Sequence, residues 1–87
     1  MNKIEEELKK VFKSIFKIEI KKISKKTNYK NVKNWDSLNH VKLIMAIESK
    51  FRLSIDPDNS INFLSFELIL IYLKKNLKKN NFLSFKK

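Results

Sequence analysis

The amino-acid sequence predicts an all-α fold, a small bundle of three main helices plus one short helix. Apolar residues recur at helical spacing in three segments, over residues 4–16, 37–51 and 66–77. The stretches between them are rich in Asn, Lys and Asp, and they offer no pair of strand-like runs that could form a sheet. A chain of 87 residues holds one small core. We assign it to a helical domain over residues 1–80, followed by a basic tail over residues 81–87.

The first helix is predicted over residues 4–16. Glu5, Glu6 and Glu7 lie in its first turn and Lys13 lies near its end, so these charges have the signs that the helix dipole favours. The same glutamates occupy the place where a secretory signal peptide needs positive charge, so no such leader is expected.

Residues 17–36 lose the helical spacing. Isoleucines alternate with lysines over residues 18–23, but a strand there would have no partner elsewhere in the chain. We predict a long loop whose Ile23, Tyr29 and Val32 pack back onto the helices. A loop of this length is unusual in a compact domain, and it indicates a functional segment.

The second helix is predicted over residues 37–51. Asp36 is a good N-cap because its carboxylate can accept a backbone N–H of the first turn. Ile44, Ile47 and Phe51 lie on one strip of this helix, and we expect that strip to face the interior.

Two further helices are predicted downstream. The acidic turn around Pro57 stops any helix and supplies capping groups for a short one over residues 60–63. Ser65 can cap the last helix, over residues 66–77. The β-branched and aromatic content of that segment suits a strand equally well. Its length, its lysine-rich end and the lack of another strand favour a helix.

As a helix, this last segment would be apolar nearly all round, and such a helix is usually buried all round. A chain this small has little left to cover the faces turned away from the core. We expect the cover to be either the tail side chains Phe82, Leu83 and Phe85 or the surface of a partner.

Composition excludes several classes of site. The chain has no Cys and a single histidine, His40, so neither a thiolate nor a His-rich metal site is expected. We find no pair of acid and base groups suited to catalysis, and therefore predict no catalytic residues. The longest apolar run, residues 68–73, is too short to cross a bilayer. We expect a soluble, cytoplasmic monomer without a transmembrane segment.

The net charge of +11 raises an alternative, a basic helical adaptor that binds nucleic acid or anionic lipid through its lysines. Nineteen of the twenty basic residues are Lys, whereas proteins that read nucleic acids usually rely on Arg. The lysines also flank the centre of the chain, because residues 36–67 carry five acids against three basic residues. Nucleic acid is therefore not expected as a partner.

The motif Trp-Asp-Ser-Leu at residues 35–38 places a serine hydroxyl at the start of the second helix. Positive potential and unpaired backbone N–H groups at such a helix start favour an attached phosphate. Through this motif and the periodic run that follows it, the chain resembles acyl carrier proteins over roughly residues 3–77. Trp35 before Asp-Ser-Leu and His40 after it resemble a branch of stand-alone bacterial carriers that often serve specialised pathways.

The resemblance implies that Ser37 carries a 4′-phosphopantetheine arm, whose thiol holds an acyl or aminoacyl group as a thioester. Asp36 and Leu38 would flank the attachment point. Asp36 would contact the phosphopantetheinyl transferase and its metal, a role that is compatible with capping the helix. The other partners implied are acyl-loading and acyl-transferring enzymes, and the carrier itself is not an enzyme.

Leu38, Val41 and Met45 lie on one strip of the second helix. In carriers this strip meets partner enzymes, although ordinary core packing explains the same pattern, and both interpretations stand. His40 has no orienting acid at helical spacing that would make it a general base, so we assign it to a solvent-facing partner contact beside Lys42. Carriers are usually acidic along this helix and this one is not. Standard fatty acid synthase enzymes should therefore recognise it poorly.

Overall fold

The computed structural model describes residues 3–79. Its elements in chain order are α1 (Lys3–Phe16), a 3-10 turn (Ile20–Lys22), α2 (Ser37–Phe51), α3 (Pro57–Ser60) and α4 (Phe66–Lys79). Strand pairing in this part of the chain is limited to an isolated bridge between Asn28 and Ser65. The prediction of an all-α fold with three main helices and one short one is confirmed. The final segment is a helix rather than a strand.

The three long helices share one core. The side chains they bury are Leu8, Val11, Phe12 and Phe16 of α1, Leu43, Ile47 and Phe51 of α2, and Phe66, Ile69, Leu70, Leu73 and Leu77 of α4. Phe12 lies among aromatic rings, edge-to-face with Phe66 at 5.1 Å and with Trp35 at 5.5 Å between centroids. Ile47 and Phe51 face the interior as predicted, Ile44 is partly buried, and Leu43 is a core residue that the predicted strip did not include.

Two long helices end without glycine, because the chain contains none. Lys17 follows α1 with φ 59°, and its N–H binds the Lys13 carbonyl at 2.9 Å. Arg52 follows α2 with φ 55°, and its N–H binds the Glu48 carbonyl. Both residues take the left-handed conformation that closes a helix, a position usually given to Gly because a Cβ is disfavoured there.

The long loop docks on the start of α4 through its backbone. The Tyr29 N–H binds the Leu64 carbonyl at 3.0 Å, and the Phe66 N–H binds the Thr27 carbonyl at 2.8 Å. Ile23 and Val32 are buried, as predicted. The prediction for Tyr29 is wrong, since its side chain is 44% exposed. The bond to Leu64 anchors the Tyr29 backbone, while the Tyr29 side chain remains exposed.

The short helix exists but was predicted three residues too late. It occupies Pro57–Ser60, with an extended Asp56 before it. Proline is well suited to the first helical position, because its missing N–H has no intrahelical acceptor there and its fixed φ is already helical. Pro57 therefore begins this helix, and residues 61–64 form turns after it.

The last helix is capped as predicted, with the Leu68 N–H donating to Ser65 Oγ at 3.1 Å. Leu68 and Ile71 are 49% and 53% exposed, so its outer face is apolar in the described part of the chain. Tyr72 is partly buried and contacts the Phe63 ring at 4.9 Å. The predicted tail, with Phe82, Leu83 and Phe85, lies outside the described residues. None of the helices within residues 3–79 is long and apolar enough to span a membrane.

Candidate functional site

Ser37 is the first residue of α2 and is exposed to solvent. Asp36 precedes it in an extended conformation and caps the helix, as predicted: its Oδ1 accepts the Asn39 N–H at 2.8 Å and its carbonyl accepts the His40 N–H at 2.8 Å. Because Asp36 takes the capping task, the Ser37 hydroxyl is left without a hydrogen-bond partner among residues 3–79. Asp36 therefore caps the helix, and Ser37 remains accessible to solvent.

The backbone that presents Ser37 is fixed to α1. The Asn34 side chain donates to the Phe16 carbonyl at 3.2 Å, and the Asn39 side chain donates to the Asn34 carbonyl at 2.8 Å. These bonds join the end of α1, the loop and the first turn of α2. Asn34 was not among the predicted site residues, because its bond to the end of α1 depends on how the loop folds back.

A second set of bonds joins the motif to α3. Trp35 Nε1 donates to His40 Nδ1 at 3.0 Å, and His40 Nε2 lies 2.9 Å from the Ser60 carbonyl oxygen. An indole N–H only donates, so Nδ1 is the acceptor and the neutral imidazole carries its proton on Nε2, from which it donates to Ser60. The expectation of a solvent-facing His40 is wrong, because the side chain is partly buried and both ring nitrogens are engaged within the protein.

The outer strip of α2 is not core. Leu38, Val41 and Met45 are 65%, 54% and 62% exposed, and Lys42 beside them is also exposed. The core interpretation of this strip is therefore excluded. An apolar strip this exposed on a rigid helix is a candidate docking surface.

The acid of α2 is engaged by the backbone rather than displayed on this surface. Glu48 is the acid that α2 retains after the motif, and it is partly buried. Its Oε2 accepts the Ile55 N–H at 2.8 Å, so it serves the turn after the helix. The exposed face beside Ser37 is thus apolar with a lysine, and the one carboxylate of the helix is occupied by the chain's own backbone.

Ser37 lies at the edge of an open groove of about 560 Å³. The groove combines residues from the loop, from the first turns of α2 and from the segment after α3, namely Tyr29, Trp35, Asp36, Ser37, His40, Val41, Ile61 and Leu64. Ile61 and Leu64 were not among the predicted site residues, because their place beside Ser37 depends on how the segment after α3 folds back. Within residues 3–79, no cluster of His, Cys, Asp or Glu could hold a metal ion.

Comparison with known proteins supports the resemblance. No protein-family model matches the chain. It is 30% identical over 79 residues to the acyl carrier protein of Buchnera aphidicola subsp. Schizaphis graminum, covering 91% of this chain and 100% of that protein. It is 29% identical over 72 residues to the acyl carrier protein of Phytoplasma australiense, covering 83% of this chain and 95% of that one. The sequence match covers the full length of a carrier protein, and the structure is a helical bundle with an exposed serine at the start of α2. The chain belongs to the acyl carrier protein family.

Proposed function

We propose that this protein carries an acyl or aminoacyl group as a thioester on a 4′-phosphopantetheine arm attached to Ser37 Oγ. The observation that carries the proposal is the Ser37 hydroxyl, exposed and without a hydrogen-bond partner in the described residues, at the start of a helix that its neighbour caps. The carrier relatives support the same role, and they do not favour a basic adaptor for nucleic acid or lipid. The absence of Cys is compatible with work in the reducing cytoplasm, where we expect a monomer.

The residues at this helix start suit a phosphodiester. The Asn39 N–H is taken by Asp36, but the N–H groups of Ser37 and Leu38 have no acceptor among the described residues. These donors and the positive end of the helix dipole favour an anionic group on Ser37. Asp36 keeps its second oxygen, Oδ2, for contact with the transferase and its metal, so capping and recognition are compatible.

The chain does not activate Ser37 by itself. His40 is the one histidine of the chain, but its Nδ1 accepts from Trp35 and its Nε2 donates to Ser60. Since neither nitrogen is available to take the serine proton, attachment requires a separate phosphopantetheinyl transferase. When attached, the arm supplies the thiol that forms the thioester, and the protein holds that arm in place and presents it to acyl-loading and acyl-transferring enzymes.

We further propose that these enzymes dock on Leu38, Val41 and Met45, with His40 and Lys42 at the edge of the contact. The exposure of the three apolar residues supports this assignment. Because Lys42 is displayed and Glu48 is not, the complementary partner surface has an apolar centre with an acidic rim. This branch of stand-alone carriers would then use enzymes other than those that recognise strongly acidic carriers.

The attachment site is tested by intact-mass measurement after incubation with coenzyme A and a transferase of broad specificity. We expect one phosphopantetheinyl mass on the wild-type chain and none on Ser37→Ala. Ser49→Ala is the matched control, because Ser49 is also an exposed serine on α2, and it should be modified like the wild type. A mass gain that persists in Ser37→Ala would disprove the assignment.

A further inference from the structure

We propose that His40 is a positioning residue, which shapes the groove beside Ser37 by holding residues 61–64 against the first turn of α2. The use of this groove by the arm or its cargo rests on the proposed function. The positioning itself concerns the unmodified protein, so it can be tested whether or not Ser37 is an attachment site.

The His40 imidazole binds the turn after α3 through one carbonyl oxygen. The Ser60 carbonyl accepts the His40 Nε2–H at 2.9 Å and also the Phe63 N–H at 3.1 Å. One oxygen therefore joins α2 to the turn that follows α3. Phe63 is buried at 4% exposure and contacts Tyr72 of α4, so this turn is seated on the core beyond the bond.

Residues 61–64 are held by a hydrogen bond at each end. His40 holds Ser60 at one end, and the Tyr29 N–H holds the Leu64 carbonyl at 3.0 Å at the other. Between these attachments Ile61 and Leu64 line the groove while remaining 68% and 39% exposed. Little burial restrains them, and α3 is only four residues long, too short to be stable by its own hydrogen bonds. The bond from His40 therefore restrains this wall of the groove together with the buried Phe63 and the bond from Tyr29.

The two hydrogen bonds of His40 require a neutral imidazole. Trp35 Nε1–H needs an acceptor and the Ser60 carbonyl needs a donor, and neutral imidazole with its proton on Nε2 supplies both. Protonation would place a second N–H on Nδ1, opposite the indole N–H, and would break the Trp35 bond while leaving the Nε2–H donor to Ser60 in place. The neutral tautomer with its proton on Nε2 is therefore the form that makes both bonds.

Nitrogen NMR of the unmodified protein tests the bonding directly. We expect the ring shifts of His40 to show a protonated Nε2 and an unprotonated Nδ1 at neutral pH. Trp35→Phe keeps the aromatic packing but removes the indole donor, so it should lose this tautomer preference. In His40→Ala, the Trp35 indole N–H should exchange with solvent on the order of five- to tenfold faster, the effect of one net hydrogen bond. A proton on Nδ1, or unchanged exchange in folded His40→Ala, would overturn the proposal.

The consequence for the groove is tested by the methyl signals of Ile61 and Leu64, with exposed Ile71 of α4 as the internal control. In His40→Ala we expect both groove signals to shift and Ile71 to stay in place. If the groove signals stay in place in folded His40→Ala, or if Ile71 shifts as much as they do, His40 does not position this wall.

Discussion

Glu48 Oε2 accepts the backbone N–H of Ile55 at 2.8 Å, across the turn that leaves α2. The donor belongs to a residue that is only 7% exposed, so water cannot easily replace the carboxylate. A hydrogen bond to a charged group in such a place contributes more to stability than one at the surface. The acid of α2 is thus a structural part of the turn.

Replacing Glu48 should therefore destabilise the protein. We expect Glu48→Ala to lower the free energy of unfolding by about 1–3 kcal/mol, because the Ile55 N–H is left without its acceptor. Urea denaturation measures the change. Ser49→Ala, at an exposed neighbouring position, should stay within about 0.5 kcal/mol of the wild type. Equal stability of Glu48→Ala and Ser49→Ala would show that the bond is dispensable.

Partner choice should follow the charge displayed on α2. We expect Lys42→Glu to be folded, with a free energy of unfolding within about 0.5 kcal/mol of the wild type, because the residue is exposed. Its handling by enzymes that prefer acidic carriers should improve, measured as kcat/KM. Lys74→Glu on α4 makes the same charge change at another exposed position and should have little effect. Unchanged kinetics for Lys42→Glu would remove α2 charge as the discriminator.

Met45 and Ile47 lie on the same helix, and substitutions at these two positions test docking and folding separately. Met45 is 62% exposed and Ile47 is fully buried. Met45→Ala should therefore weaken the interaction with acyl-handling enzymes and leave stability nearly unchanged. Ile47→Ala should cost about 2–5 kcal/mol of unfolding free energy through lost burial and a residual cavity. Thermal unfolding and partner kinetics, measured on both variants, distinguish these outcomes. A Met45→Ala variant that is as active as the wild type would argue against the docking strip.

The ion pair between α1 and α2 predicts a pH dependence of stability. Glu7 Oε1 lies 2.9 Å from Lys50 Nζ. The hydrogen bond from Lys50 chiefly, and the one from Lys10, hold the pKa of Glu7 below its ordinary value of 4.5, while partial burial opposes the shift. Because the folded protein favours the ionised form, this stabilisation is present above the unfolded-state pKa. It is lost as the pH falls through the lower folded-state value.

Glu7→Gln should accordingly lower the free energy of unfolding at neutral pH by about 0.2–1 kcal/mol, the range for pairs that solvent screens. The wild type and the variant should converge in acid, and the difference at neutral pH should shrink at high salt. Glu6→Gln, an exposed neighbour on α1, is the control and should show a weaker pH effect. Parallel stability curves for the wild type and Glu7→Gln between neutral pH and pH 3 would contradict the assignment.

The apolar outer face of α4 needs a cover, which the tail over residues 81–87 could provide. Leu68 and Ile71 are exposed, so truncation after residue 79 should lower the melting temperature or promote self-association if the tail covers this face. Differential scanning calorimetry and sedimentation measure the two effects. A truncated chain that stays monomeric and melts at the same temperature would show that the tail does not cover this face, which would leave a partner surface as the alternative.

Local patterns in the sequence were sufficient to predict the three long helices and to indicate the candidate serine. The helical period of the apolar residues and the cap at Asp36 act within a few positions, so α2 begins and ends at the predicted residues, Ser37 and Phe51. The pattern places α3 three residues too late, because a proline that stops one helix is equally suited to the first position of the next.

The part that could not be predicted depends on contacts made by the folded chain. His40 bonds to Trp35, which precedes the helix, and to Ser60, twenty residues away. Helical spacing relates His40 to neither of them. The docking of Tyr29 on Leu64 likewise depends on where the loop returns to the bundle. The sequence pattern indicates the candidate serine, but not the hydrogen bonds that surround it.

The braces from Asn34 to Phe16 and from Asn39 to Asn34 have a mechanical consequence. They restrain the backbone that carries Ser37, so a tether joined there would reach a space set mainly by the length of the tether. Delivery of a cargo would then require the acceptor enzyme to bring its reaction centre within that space. The distance between its docking surface and its active site would be matched to the arm, and not to any movement of the helices.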